Sequence, residues 1–556
     1  MTDILTARTP LAALSDQEGR TPRDYHAARW NEPLIFALGS EGERGVRVPL
    51  ADPAALEALS RGAEAAVRRA RPTALPEVGQ AQVLRHFLRL SQETLGADLN
   101  VDIGQGTCTM KYSPKVNEEF AGAAQSVETH PLQHPSTVQG TLEILHELER
   151  AIASVSGMDA VSLQAGAGSA AIWGNVQIVR AYHADRGEGE QRDEVVTTIF
   201  SHPSNAATAK TAGYRVVTLY PGDDGLIELD ALRAALSERT AALLITNPED
   251  TGIFNPAIAE IVAAAHEVGA LCVYDQANAN GILGITRARE AGFDLCHFNL
   301  HKTFSTPHAC GGPAAGAIGA TAELEPFLPG PRLVRGEDGF RLEDRGPRTT
   351  APIRPFWGVV PNLIRAYAWI RALGAEGLRE VAEIAVLNNN YVMSRLSEVE
   401  GVRPAYLEGA HPPIEQVRYS WDGLARDTGV TSGELGQRLA DFGMHLWTSH
   451  HPYVVPDPAT IEPTEAYARR ELDEYVDALR QASAEAREDP EFVRRAPYKS
   501  SIHHVDAQSM TDPETWATSW RAYRRKYLGE DVRIPAHWSP SVDSPTRERQ
   551  EKLFHR

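Results

Sequence analysis

The feature that most constrains the fold is an alternation of short apolar runs with helical patterns between residues 194 and 274. We predict strands and, between them, helices as follows: strands over Glu194–Phe200, Tyr214–Tyr220, Ala241–Thr246 and Ala270–Tyr274, and helices over Asn205–Ala212, Leu229–Leu236 and Pro256–Val268. Such an alternation implies crossover connections and a largely parallel sheet that is buried on both faces. The strand ends then share one edge, where open α/β sheets bind ligands, and this edge would carry His202, Asn247 and Asp275.

A single lysine follows this region in a stretch rich in histidine, hydroxyl residues and glycine. The stretch reads HFNLHKTFSTPHACGGPAAG from His297 to Gly316 and contains Lys302. A lysine amine can form a Schiff base with an aldehyde, and a strand-end carboxylate can keep a pyridine nitrogen protonated. At about 4 Å and an effective dielectric of about 20, that ion pair is worth roughly 4 kcal/mol. Lys302 and Asp275 together therefore predict pyridoxal phosphate (PLP) as the cofactor.

A glycine turn before a helix provides a candidate site for the cofactor phosphate. The stretch Ala160–Gly168 passes from apolar residues into AGAGS, and a helical pattern follows over Ala170–Tyr182. A helix N-terminus presents backbone N–H groups to an anion, so Gly168 and Ser169 are candidate phosphate contacts. Turns of this kind more often serve tight packing, and the functional interpretation depends on the lysine downstream.

Three separate motifs resemble, in the family's order, the PLP-carrying part of glycine decarboxylase, the P-protein of the glycine cleavage system. They are GTCTMKYSPK at Gly106–Lys115, HPSTVQG at His134–Gly140 and NLHKTF at Asn299–Phe304. The resemblance is strongest to the second subunit of the form split over two chains, and it runs from about Glu32 to Asp506. It implies an α/β fold of type I, like that of aspartate aminotransferase, with a large mixed or parallel sheet domain and a smaller C-terminal α/β domain.

The resemblance also predicts how the chain is divided into domains. We expect an N-terminal arm and helical segment over 1–110, a large PLP-binding domain over 111–350, a small α/β domain over 351–506 and an extension over 507–556. Within them we predict a loop at Leu328–Arg354 and an amphipathic helix that begins near Thr464, where threonine precedes glutamate. Helical patterns also cover Val359–Leu373 and Leu378–Val399.

The resemblance assigns roles to residues that match the family's motifs. Lys302 would carry the cofactor, Asp275 would face the pyridine nitrogen and His202 would stack on the ring, so these three form the predicted catalytic set. The predicted cofactor-binding residues are Gly168, Ser169, His202, Asp275, Asn278, His301, Lys302 and Thr303. The candidate substrate contacts are Thr107, Cys108, Thr109, Asn280 and His308.

The implied activity is decarboxylation of glycine or a related amino acid, followed by transfer of the aminomethyl group to a lipoyl carrier protein. Three departures from the family bear on the substrate. The chain has AGSA at Ala167–Ala170 where the family usually has AHGE or AQGE, Gln276 where it has glycine, and Ala309–Cys310 where it has two glycines. They favour, as an alternative, a specialised-pathway PLP enzyme that acts on another amino acid without a lipoyl partner.

A third hypothesis is a non-catalytic subunit that only completes a complex. Intact Lys302 and Asp275 argue against it, because a subunit without chemistry needs neither. In either catalytic case we expect association, with a homodimer as the default and a companion P-protein subunit as the alternative.

Composition excludes several other classes. The 556 residues carry a net charge of −19, which argues against nucleic-acid binding. The start MTDILTARTP lacks a signal pattern and no long apolar run occurs, so we expect a cytoplasmic protein without a membrane segment. His450 and His451 are adjacent, so on a strand they would face opposite sides, and we predict no metal site.

Overall fold

The computed structural model describes residues 25–46, 49–62, 75–96, 99–104, 111–130, 132–308, 314–343, 346–354, 357–406, 409, 411–447, 454–501, 504, 524 and 529. The chain divides into one unit of Met1–Ser501 and a second of Ile502–Arg556, and the elements below all belong to the first. Several predictions lie outside the described residues. They concern the candidate substrate contacts Thr107, Cys108 and Thr109, the departures Ala309 and Cys310, the pair His450 and His451, and nearly all of the extension over 507–556.

In the described part of the chain, twelve strands form three sheets. In chain order they are β1 (Ala160–Ser162), β2 (Glu194–Thr198), β3 (Arg215–Leu219), β4 (Thr240–Thr246), β5 (Leu271–Gln276), β6 (Leu295–Asn299), β7 (Gly316–Ala320), β8 (Arg332–Gly336), β9 (Gly339–Glu343), β10 (Arg403–Pro404), β11 (Val417–Ser420) and β12 (Pro458–Ile461). The main sheet has seven strands in the order β1-β7-β6-β5-β4-β2-β3. Neighbours from β3 to β6 are parallel, whereas β7 runs antiparallel to both β6 and β1. The parallel part agrees with the predicted alternation.

The described residues also form fourteen α-helices. They are α1 (Pro53–Gly62), α2 (Gln80–Gln92), α3 (Lys115–Ala121), α4 (Ala124–Val127), α5 (Gln139–Ser156), α6 (Gly168–Asp185), α7 (Pro203–Thr211), α8 (Leu229–Ala235), α9 (Ile258–Glu267), α10 (Val360–Leu396), α11 (Asp422–Thr428), α12 (Ser432–Leu439), α13 (Arg469–Glu488) and α14 (Pro490–Arg494). Among the described residues, no helix combines the length and apolar character needed to cross a bilayer.

The main sheet is buried on both faces. Neighbouring residues of its strands point to opposite sides, so each strand contributes to two cores. On one side Leu243 and Cys272 pack in a core that also holds residues of α5, α9 and the first part of α10. On the other side Leu244 and Val273 pack with residues of α6 and α7. This arrangement explains why the strands appear in the sequence as continuous apolar runs.

A second core forms around the three-stranded sheet β10-β11-β12. Helix α10 connects the two cores, because Leu363 packs in the first and Val392 and Leu396 pack in the second. The helix is interrupted at Gly374, whose φ of 65° is left-handed, and this is the break that separated the two predicted helices. Glycine adopts this conformation without the steric cost of a side chain.

Two local predictions were wrong. The segment predicted as a loop contains the antiparallel hairpin of β8 and β9, which Gly336 and Gly339 close around a short acidic turn. The helix predicted to start near Thr464 is α13, which begins at Arg469. The carboxylate of Glu471 accepts a hydrogen bond from the backbone N–H of Ala468 at 2.7 Å, and this cap defines the true start.

Candidate active site

The carboxyl edge of the parallel strands carries a cavity that brings together most of the predicted catalytic residues. Lys302, Asp275, His202 and Asn278 all line this cavity, which we call the lysine cavity. Asp275 lies near the end of β5, His202 follows β2, and Lys302 lies in the turn after β6. Residues separated by about a hundred positions thus meet because parallel strands end at one edge.

Asp275 is a buried carboxylate held by three neighbours. Its Oδ2 accepts a hydrogen bond from Asn205 Nδ2 at 3.0 Å, and its Oδ1 accepts one from the backbone N–H of Ala277 at 3.0 Å. His297 Nε2 lies 3.1 Å from Oδ1, because the parallel register pairs the two residues across β5 and β6. Burial alone would raise the pKa of Asp275, but His297, His202 and the Ala277 N–H together outweigh it and hold that pKa well below its usual range. The carboxylate is therefore charged.

Lys302 is one of two buried lysines near this edge, and the two differ in their partners. Lys111 Nζ lies 2.9 Å from Glu465 Oε2 and 5.2 Å from the centre of the Trp369 ring. For Lys302, the described residues offer no carboxylate within ion-pair distance, although the side chain is 5 % exposed. Its amine is thus available for a covalent bond.

The predicted phosphate contacts lie at the start of α6. Gly168 is the first residue of this helix and is buried, whereas Ser169 is exposed. A side chain at Gly168 would collide with the amide of Asn299, so glycine allows the helix start to approach the end of β6. The guanidinium of Arg354 lies against Gly166, which adds a positive charge beside the helix N-terminus.

His202 has a structural role as well as a place in the cavity. Its Nδ1 accepts a hydrogen bond from the backbone N–H of Ser204 at 3.1 Å, which caps α7. On the lysine turn, Thr303 Oγ1 accepts a hydrogen bond from the backbone N–H of Ala279 at 2.9 Å. Thr303 therefore ties this turn to the loop that follows β5.

The two predicted histidines around Lys302 pack against each other. The rings of His301 and His308 are 5.8 Å apart, edge to face. His301 Nδ1 lies 2.9 Å from the carbonyl oxygen of Ala315. Burial lowers the pKa of His301 to about 4, so the ring is neutral at physiological pH and donates its Nδ1 hydrogen to that carbonyl.

Asn278 and Asn280 have a common partner that the sequence analysis missed. Both side-chain amides donate to Glu462 Oε1, at 2.6 Å and 2.8 Å. Glu462 follows β12 and is fully buried. Burial raises its pKa to about 7, although the two asparagines, Lys302 and Lys111 act in the opposite direction. A carboxylate directly after the apolar run of β12 repeats the signal that identified Asp275.

A second buried carboxyl, Glu415, lines the lysine cavity itself. Burial and then the charge of Glu462 raise its pKa well above the usual value. A third, Glu249, also lines the cavity, and its Oε1 accepts a hydrogen bond from Thr198. Burial raises the pKa of Glu249 to about 7. No local sequence pattern marks these two residues.

Buried polar atoms around Lys302 test whether the site fits a polar cofactor. Three oxygens in the cavity wall or on residues bonded to it have no hydrogen-bond partner within the described part of the chain: Asn280 Oδ1, Glu415 Oε2 and Glu462 Oε2. Buried polar groups without partners are costly, so these three oxygens indicate a site built for a polar ligand. The amine of Lys302, the charged Asp275 and the α6 N-terminus match the aldehyde, pyridine nitrogen and phosphate of PLP.

Comparison with known proteins gives two family matches and close relatives. The model for the glycine dehydrogenase C-terminal domain matches residues 381–497, and the aminotransferase class-V model matches residues 175–334. A probable glycine dehydrogenase (decarboxylating) subunit 2 from Pyrococcus horikoshii is 40% identical over 509 residues, which is 91% of this chain and 99% of that protein. The protein of the same description from Shouchella clausii is 40% identical over 474 residues, or 85% of this chain and 94% of that protein.

Solved structures agree on the fold. A crystal structure of glycine decarboxylase (P-protein) of the glycine cleavage system, in inhibitor-bound form, matches with a TM-score of 0.63 at 22% identity, covering 77% of this chain and 95% of that chain. A NifS-like protein matches with a TM-score of 0.54 at 16% identity, covering 69% and 100%. The predicted α/β architecture of fold type I is thereby confirmed, and with it PLP as the cofactor of this class.

Proposed function

Because the chain belongs to the glycine dehydrogenase (decarboxylating) subunit 2 family, we propose that it is the PLP-carrying subunit that decarboxylates glycine or a related amino acid. The observation that carries this proposal is the lysine cavity, in which Lys302 and a charged, buried Asp275 line the same wall. PLP, when bound, supplies an electron sink for the electron pair that remains when carbon dioxide leaves.

The chain's own residues would each supply one part of this chemistry. Lys302 presents an amine that has no salt bridge to any described residue, and Asp275 would present a fixed negative charge to the pyridine nitrogen. The first turn of α6, with Gly168 and Ser169, would hold the phosphate, and the Arg354 guanidinium would add to its positive field. His202, held in place as the cap of α7, would cover the ring.

Two departures from the family lie next to residues of the site. Gln276 follows Asp275 in β5, so its side chain projects to the opposite face of the sheet. Ala167 and Ala170 flank the proposed phosphate contacts at the start of α6 and leave the wall there without a polar or acidic side chain. For this reason the proposal includes amino acids related to glycine.

We expect the purified protein with PLP, its companion subunit and a lipoyl carrier protein to release carbon dioxide from glycine or a related amino acid. The measurement is carbon dioxide release and product mass across a panel of amino acids. Each amino acid is assayed with and without the carrier, because only the family's reaction passes the aminomethyl group to the lipoyl disulfide. Release from another amino acid without the carrier would favour the specialised-pathway alternative, and no release from any would contradict decarboxylation.

Association with another chain is supported by the distribution of exposed apolar residues. Most large apolar side chains that are exposed in the described part of the chain lie between residues 30 and 132. On α2, Leu84, Phe87 and Leu88 are 61 %, 55 % and 54 % exposed. Exposed apolar patches of this kind mark interaction surfaces. The proposed occupant is the companion P-protein subunit, which the relatives' description as subunit 2 supports, or a second copy in a homodimer.

We expect Leu84→Asp combined with Phe87→Asp to weaken this association, because two charges would enter an apolar contact. Light scattering of the protein alone and with the companion subunit measures the complex mass. Leu387→Asp on α10 is the matched control, since Leu387 is 67 % exposed but lies far from this region in the sequence. Complex masses unchanged in the double variant would exclude α2 from the interface, and a fully active monomer would refute association altogether.

A further inference from the structure

Two buried carboxyl groups at the lysine cavity interact through their charges. Glu415 lines the cavity together with Lys302 and lies two residues before β11. Glu462 follows β12 and is anchored through Oε1 by the amides of Asn278 and Asn280. The second oxygen, Oε2, of each carboxyl is buried and has no hydrogen-bond partner within the described residues. We call Glu415 and Glu462 the acid pair.

The loop after β5 packs closely against Glu415 Oε2. A side chain at Gly281 would lie 2.7 Å from this oxygen, so glycine allows the backbone to approach it. Tyr274 is also close enough to feel the Glu415 charge, but its hydroxyl donates to the carbonyl oxygen of Asn247. Glu415 Oε2 thus has no hydrogen-bond partner among the described residues.

Two lysines act on the charge of Glu462. Lys302 and Lys111 both lower its pKa, and Lys111 is in turn next to Glu465. The charge of Glu462 raises the pKa of Glu415, which shares the lysine cavity with three other acidic residues: Glu249, Asp250 and Asp275. Two interacting carboxyls in a dry site titrate as a pair, so one ionises while the other keeps its proton. The hydrogen bonds from the two asparagines favour the ionised form of Glu462, so the negative charge of the pair lies mainly there above a pKa of about 7.

We propose that the acid pair is the proton acceptor that deprotonates the ammonium group of the incoming amino acid at Lys302. This inference rests on the proposed function. An N–H bond of the ammonium breaks, its electron pair stays on nitrogen, and the proton forms an O–H bond on the pair. The ammonium changes from one positive charge to neutral, and the pair changes from one negative charge to neutral. Burial favours this step because it removes two opposite charges from a low-dielectric site.

Methylamine tests the step because it has the amine of a substrate and no carboxylate to lose. We expect infrared difference spectra of the holoenzyme, with and without methylamine, to show one new protonated carboxyl band near neutral pH. Glu462→Gln and Glu415→Gln should each abolish it, whereas Glu462→Asp should retain it. A methylamine-dependent shift of the visible absorbance shows that the amine has reached the cofactor. If methylamine causes no such shift, the result contradicts the assignment of Lys302 as the cofactor lysine, and it does not contradict the role of the acid pair.

The pH dependence of kcat/KM gives a second readout. Glu462 must be ionised to accept a proton, so kcat/KM should rise with pH through about 7. Glu462→Gln should lower kcat/KM by about 10²-fold, the smaller end of the effect of a lost proton acceptor, and should remove this limb. Glu149→Gln is the matched control, because burial also raises the pKa of Glu149, to about 8, but this residue lies beside Arg332 instead.

Three results would overturn the proposal. The first is that methylamine shifts the visible spectrum of the wild-type protein but produces no new carboxyl band. The second is that the band remains in both glutamine variants. The third is that kcat/KM of Glu462→Gln still rises with pH as in the wild-type protein. The first would indicate that the freed Lys302 amine takes the proton instead. Because the wild-type spectrum is decisive by itself, a glutamine variant that fails to fold leaves the test intact.

Discussion

Lys302→Ala should abolish covalent attachment of PLP and lower decarboxylation by at least about 10²–10⁴-fold, the range typical for a group that transfers protons at the reacting atoms. The reason is that Lys302 has the only described amine in the lysine cavity. Borohydride reduction followed by peptide mass spectrometry should locate the cofactor on the peptide that contains Lys302 in the wild-type protein. In the variant, no peptide should carry it.

The strongest competitor for this assignment is Lys111, which is equally buried. We expect no label there, because its amine lies next to Glu465 and over the ring of Trp369. Lys210→Ala is the control, since Lys210 lies exposed in the last turn of α7 and should change neither colour nor rate. Recovery of the cofactor on Lys111, or persistent colour in Lys302→Ala without added amine, would refute the assignment.

Asp275→Asn should retain much of the cofactor binding but lower kcat by about 10²–10³-fold, the size reported for removing one preorganised electrostatic contact. Amide and carboxylate are nearly the same size, so the shape of the site is kept, but the single amide oxygen can accept from only one of the two donors, Asn205 Nδ2 or the backbone N–H of Ala277. The negative charge is lost, and with it the group that faces the pyridine nitrogen. The buried His297 then faces an amide instead of the carboxylate that lies 3.1 Å from its Nε2, so we expect the free energy of unfolding to fall by about 1–3 kcal/mol, the cost of a buried polar group that loses its partner.

A control for this variant lies near the other end of β5. Asp294, which directly precedes β6, accepts a hydrogen bond from the backbone N–H of Cys272 in β5 at 2.7 Å, and it lies 2.8 Å from His266 Nε2. Asp294→Asn removes a comparable carboxylate from an Asp–His pair outside the cavity, so stability should fall while kcat stays near the wild-type value. Visible spectra, kcat and thermal unfolding separate the two effects. Near wild-type turnover in Asp275→Asn would show that Asp275 is not the ring partner.

These two predictions concern residues that local sequence identified. Asp275 ends an apolar run and Lys302 lies in a recognisable motif, and both signals depend only on neighbours in the chain. The alternation over residues 194–274 likewise predicted the parallel strands and their common edge, because periodicity and burial are local consequences of composition. The same reasoning failed for the β8–β9 hairpin, because its strands contain charged residues and are only partly buried, so they do not form an apolar run.

The environment of those residues was decided only by the tertiary structure. His297 faces Asp275 through a strand register that no local pattern specifies. Glu462 reaches Asn278 and Asn280 across more than 180 positions of sequence. Glu415 becomes part of the cavity wall because the segment before β11 bonds to the loop after β4, where the Ile414 N–H donates to the carbonyl oxygen of Gly252. The sequence by itself thus determined the fold class and the two residues of the cofactor site that follow from local patterns. The pairing, burial and charge of their neighbours depend on long-range contacts, which exist only once the chain has folded.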